Sequence, residues 1–162
     1  SLERPSIYRA GGWFLDEENI KVLNDLEFNI DSSGRTYYKH GTNQIEGHWN
    51  LSPDTQPYIL NSFDQNITNE PNLNIWEYPN NGGDSWAFNS DSLISRFKSN
   101  YSGGINNRDV VVTYLSHPHW FNREGPNIEG AFKYISQYSY LNDTGPVIFL
   151  SLDILHQYTV KH

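Results

Sequence analysis

The sequence predicts an α/β protein with mostly parallel strands, built as one domain over its 162 residues. Two observations carry this expectation. Short apolar, β-branched runs alternate with stretches whose apolar residues recur at helical spacing, the order that builds βαβ units. The strongest run, Val110–Leu115, is continuously apolar or β-branched, as strands buried on both faces of a parallel sheet are.

The elements follow in order. Ser6–Arg9 reads as a strand end. Asp16 is placed to cap a helix over Glu17–Leu26, with Ile20, Leu23 and Leu26 on one face and two glutamates in the first turn, where the helix dipole favours them. A short strand over Phe28–Ile30 ends in Asp31-Ser32-Ser33. Residues 34–72 carry turn formers and scattered aromatics without a sustained period, so a long irregular loop with small elements is expected there. Leu73–Tyr78 reads as a strand, and Pro79 to Asp84 as a turn. Ser90 is placed to cap a helix with Leu93, Ile94 and Phe97 inward, closed by Gly103-Gly104. After Val110–Leu115 come Ser116-His117-Pro118-His119-Trp120, then a helix from about Asn127 to Tyr138 with Ile128, Ala131, Phe132 and Ile135 inward. A buried strand over Val147–Leu150 and a short helix over Leu152–Tyr158 complete the set.

Composition narrows the function classes. Hydrophobic residues make up 36% and aromatics 15%, enough apolar surface to order a chain of this length. The net charge of -8 would repel a phosphate backbone, which argues against nucleic-acid binding. A mean hydropathy of -0.68 and the absence of any long apolar run argue against a membrane span. No cysteine is present, which excludes disulfides and thiolate chemistry. The chain opens at Ser1 and contains no methionine, so a removed leader or a segment of a longer protein is expected. Five tryptophans and eleven tyrosines on an acidic, polar chain suit neutral sugars, whose apolar faces stack on rings, although core packing explains such residues equally well.

Active groups in parallel sheets and barrels gather where strands end. Arg9, Asp31 and His117 all fall at predicted strand ends. Histidine at such an exit can act as a general acid or base, and Pro118 stiffens the chain behind it. Arg9 can fix a carboxylate through a bidentate pair, or simply lie on the surface. Asp31 can hold a histidine in one tautomer, or cap the next turn. His117 and His119 form an H-x-H pair able to contribute to a zinc site, but two ligands are too few and spacing places no carboxylate beside them. Trp13, Trp86, Trp120 and Tyr114 are the candidate residues for lining a sugar-binding cleft.

Tyr8-Arg9-Ala10-Gly11-Gly12-Trp13, a helix, and then Asp31-Ser32-Ser33 resemble the middle of polysaccharide deacetylases of the NodB-homology class. Trp76-Glu77-Tyr78-Pro79-Asn80-Asn81-Gly82 is similar to the strand and turn that follow. Val112 to Pro118 resembles the family's last motif, a strand ending in the catalytic histidine, and Val147–Leu152 the closing strand of the barrel. The resemblance implies the C-terminal part of a (β/α) barrel that removes acetyl groups from a carbohydrate polymer, outside the cell or in its envelope. In a complete member a divalent metal, zinc or similar, polarises the acetyl carbonyl and activates water. His117 would protonate the leaving group, Asp31 would tune that histidine, and Arg9 would orient the base. The family's Asp-Asp and H-x-x-x-H metal motifs occur nowhere in these residues. The expectation is therefore a half barrel that alone is inactive, holds no catalytic metal tightly, and self-associates or needs a missing N-terminal segment. A non-catalytic carbohydrate-binding or interaction domain is the alternative.

Overall fold

The structure, a computed structural model, describes residues 5–36, 49–101, 109–140 and 145–161. The chain is α/β with mostly parallel strands, and no closed barrel forms among the described residues. Its contacts divide it into two compact units, Ser1–Asn81 and Gly82–His162.

The first unit contains β1 (Ile7–Tyr8), α1 (Glu17–Asp25), β2 (Ile30–Asp31), β3 (Tyr58–Asn61) and β4 (Asn72–Glu77). The sheet order is β1-β2-β4-β3, with β1, β2 and β4 parallel and β3 antiparallel to β4. β3 lies inside the stretch that showed no period, because four residues flanked by turn formers carry too little pattern to stand out. Asp16 caps α1 as expected, its Oδ1 accepting from the Asn19 backbone N–H at 2.9 Å. Ile20 and Leu23 are buried, but Leu26 ends the helix exposed. They pack with Leu15, Trp49, Leu51, Tyr58, Leu60 and Ile75 into the core. Asp16→Ala should cost about 1 kcal/mol in urea denaturation, the usual value of an N-cap.

The second unit contains β5 (Gly83–Asp84), α2 (Ser90–Asn100), β6 (Tyr114–Leu115), α3 (Phe121–Ile135) and α4 (Leu152–Thr159). β5 and β6 pair in parallel. Gly83 has φ +101, and a Cβ on Gly82 would stand 2.5 Å from the Thr113 carbonyl oxygen, so glycines let these strands meet. α2 packs on α3, with Leu93, Phe97, Ala131 and Ile135 buried, and the Phe97 ring meets Tyr134 of α3 edge-on at 6.4 Å and stacks on Tyr101 at 5.1 Å. Asn89, one residue before the expected Ser90, caps α2, with its side chain accepting from Ser92. The expected glycine stop at 103–104 lies outside the described residues.

Four expectations for this unit are corrected. Val110–Leu115 is not an interior strand: among the described residues its strand is confined to Tyr114–Leu115, and residues 110–115 are half-buried. β-branched residues favour a strand only where a neighbour offers a ladder, and β5 offers two residues. Val147–Leu150 is not a buried strand. Val147 makes a single bridge to Ser139, and Ile148, Phe149 and Leu150 are exposed. α3 begins six residues earlier than expected. Pro126 lies inside it, and the backbone bond that proline cannot donate is missing next to an exposed turn. Phe132, expected inward on α3, is 38% exposed.

Candidate functional site

β6 delivers its chain end to the site. After Leu115 come Ser116 and His117, and His117 caps a 3-10 turn, Pro118–Trp120, its carbonyl accepting from Trp120 at 2.9 Å. That turn runs directly into α3, which returns Glu124 beneath His117. Glu124 has no exposed surface, yet it sits shallow, close under the exterior of the unit. Its Oε2 accepts from the His117 backbone N–H at 2.9 Å and from the Ser85 hydroxyl at 2.8 Å. Its Oε1 lies 3.1 Å from His117 Nδ1.

Desolvation is the largest single influence on Glu124 and raises its pKa. The His117 backbone N–H, the Ser85 hydroxyl and the His117 ring together outweigh it and hold the carboxyl below its ordinary value. An ionised carboxylate only accepts, so Nδ1 must carry the proton and Nε2 is left as the nitrogen for exchange with a substrate.

Asp84 of β5 stands beside this pair. Its register partner is Leu115, and its Oδ1 accepts from Trp86 N–H at 2.9 Å and lies 3.8 Å from His117 Nδ1. One ligating atom each from Asp84, His117 and Glu124 falls within 4.8 Å of the others, with both carboxylates buried and His117 half-buried. Neither carboxylate stood out in the sequence. Asp84 belongs to what read as a turn, and Glu124 lies seven residues past His117, a spacing that only the 3-10 turn makes meaningful.

The aromatic candidates of this unit divide. Trp86 and Trp120 are about half exposed, 49% and 50%, and the Arg123 guanidinium lies 5.0 Å over the Trp86 ring. Tyr114 packs edge-on against Phe132 at 5.5 Å. Burial pushes the Tyr114 hydroxyl pKa up, against the pull of Arg96. His119 sits on the 3-10 turn with its ring 6.0 Å from that of His117.

Arg9 and Asp31 lie in the first unit, at the ends of neighbouring parallel strands. Arg9 donates to the Ser32 hydroxyl, which in turn donates to the Tyr78 carbonyl at 2.8 Å. Asp31 is fully buried and accepts from the Ser33 hydroxyl at 2.7 Å. In the parallel register it faces Glu77, also fully buried. Burial raises both carboxyls, and Glu77 is raised further by the charge of Asp31. Glu77 Oε1 accepts from Gly34 N–H at 2.8 Å, while Oε2 is buried with no donor facing it. Burial and the nearness of the two carboxyls both oppose full ionisation, which favours a single proton held by the pair. Trp13 adopts a left-handed conformation, φ 58, beneath Arg35, whose guanidinium lies 4.3 Å from the ring. Its carbonyl accepts from the Trp49 indole N–H at 2.9 Å.

No family model, curated protein or solved structure matches the chain. Its functional reading therefore rests on its own residues. Among the described residues no helix is long and apolar enough to cross a membrane.

Proposed function

We propose that the chain is the C-terminal part of a metal-dependent carbohydrate deacetylase-like hydrolase, with His117 as its acid. The observation that carries the reading is the His117–Glu124 pair at the carboxyl end of a parallel strand. Glu124 holds Nδ1–H and stabilises the imidazolium, so Nε2 can give its proton to the departing amine or alkoxide as the acetyl group leaves. The tuning role that the resemblance gives to Asp31 is filled within the second unit by Glu124. Parallel strands joined by helices are what half of such a barrel would contain.

The residues here do not fit the family's resident metal, because its Asp-Asp and H-x-x-x-H donors are absent from the sequence. The substrate would be an acetylated carbohydrate polymer, met outside the cell or in its envelope, with sugar faces stacked on Trp86 and Trp120. The exposed apolar run Ile148–Leu150 suits self-association or a missing barrel segment.

Acetate release from acetylated chito- and xylo-oligosaccharides, with zinc, cobalt or nickel added, tests the reading. The chain alone should release none. The protein extended by its upstream coding region should release acetate, and His117→Ala should lower that rate by about 100-fold or more. Release by the isolated chain, lost in His117→Ala, would end the idea of an incomplete half. An extended protein indifferent to His117→Ala would end the acid role. A second reading, a non-catalytic carbohydrate-binding domain, is favoured by the half-exposed Trp86 and Trp120. It requires oligosaccharide binding that Trp86→Ala weakens, with no turnover in any extended form.

A further inference from the structure

We infer that Asp84, His117 and Glu124 form a divalent-cation site, held by Asp84 Oδ1, His117 Nδ1 and Glu124 Oε1. The site uses residues of the second unit alone and stands whether or not the chain belongs to a hydrolase. The two histidines conspicuous in the sequence lacked a carboxylate partner, and the fold supplies two to one of them.

Two ligands at about 2.1 Å from one ion stand roughly 3.0–4.2 Å apart, depending on the angle between them. His117 Nδ1 lies 3.1 Å from Glu124 Oε1 and 3.8 Å from Asp84 Oδ1, both inside that range, and one ligand atom from each of the three residues lies within 4.8 Å of the other two, a span that a small side-chain adjustment closes onto one ion. The first distance also suits a hydrogen bond, but the second is too long for one. A histidine–carboxylate pair by itself does not call for a second buried carboxylate at that range, whereas a coordination shell does.

The donor set matches the ion in charge and kind. Two carboxylates neutralise a divalent charge, and imidazole with carboxylate oxygens suits zinc or manganese. Outer partners orient the ligands: the Ser85 hydroxyl and His117 N–H hold Glu124, and Trp86 N–H holds Asp84. The His117 side chain is 33% exposed, which leaves a way in from solvent and room for water at the remaining positions. With the ion bound, Nδ1 gives its lone pair to the metal instead of a proton to Glu124. Cation binding and the acid role are thus alternatives for one imidazole.

The test is calorimetric titration of the chelator-stripped, untagged chain with zinc chloride and with manganese chloride, paired with anomalous diffraction from zinc-soaked crystals. One ion per chain is expected, with an anomalous peak between the three side chains. Asp84→Asn and His117→Ala should each weaken binding by about 10-fold or more, while His119→Ala keeps it. Absence of binding, a peak elsewhere, or equal loss in His119→Ala would overturn the site. Circular dichroism of each variant guards against unfolding, and the peak in the unmutated protein decides the matter if a variant does not fold.

Discussion

Glu124→Ala is expected to destabilise the protein by about 1–3 kcal/mol, because it leaves the His117 backbone N–H without its acceptor and the Ser85 hydroxyl with only the longer bond to the Leu115 carbonyl. Glu124→Gln should cost much less. Its amide oxygen can replace Oε2 as the acceptor, while its NH2 faces His117 Nδ1. An amide that donates to Nδ1 forces the ring proton onto Nε2, the opposite tautomer from the native pair. Urea denaturation measures the first effect, and nitrogen chemical shifts of the His117 ring measure the second. Equal stability of the alanine and glutamine variants would show that Glu124 does not anchor this loop. An unchanged tautomer in Glu124→Gln would show that it does not govern the ring.

The buried pair in the first unit should make stability fall as pH rises. Asp31 and Glu77 both have carboxyls raised by burial, so the folded protein holds protons that the unfolded chain has released. Their contribution is fully present below the ordinary carboxylate range, and it is lost as pH climbs toward the raised value of Glu77. Each unit of upward shift is worth about 1.4 kcal/mol over that window. Glu77→Gln keeps an acceptor for Gly34 N–H and places a permanent donor toward Asp31, without a proton to lose. The variant should therefore be more stable than the native protein at neutral and alkaline pH, by about 1–2 kcal/mol, with a flatter pH profile. Thermal unfolding between about pH 5 and pH 9 reads this directly. Parallel profiles for the two proteins would mean that the pair carries no shared proton.

Both effects arise from residues whose partners are distant in the sequence. Glu77 lies inside a predicted strand, and nothing in Trp76-Glu77-Tyr78 tells that Asp31 faces it in the parallel register. Glu124 lay before a helix expected from about Asn127, so nothing placed it on an element that returns to His117. His117, by contrast, was visible at once, because a β-branched run followed by His-Pro marks a strand exit.

Local signals were enough wherever an element is stabilised by its own residues. Asp16 before two glutamates located α1, the apolar spacing of Leu93 and Phe97 located α2, and Asn72–Glu77 formed within one residue of the strand expected. They were not enough where a strand depends on a neighbour. Residues 110–113 and 148–150 are as β-prone as β4, yet none of them joins a ladder among the described residues. Propensity, capping and periodicity act within a few residues, so they sufficed for the α/β class, for α1 with its Asp16 cap, for the position of α2, and for the histidine at a strand exit. Which carboxylates meet depends on the folded chain. Asp84 reaches His117 through strand pairing, and Glu124 reaches it through a turn that reverses the chain. Such encounters depend on backbone paths in space, which no residue type encodes alone.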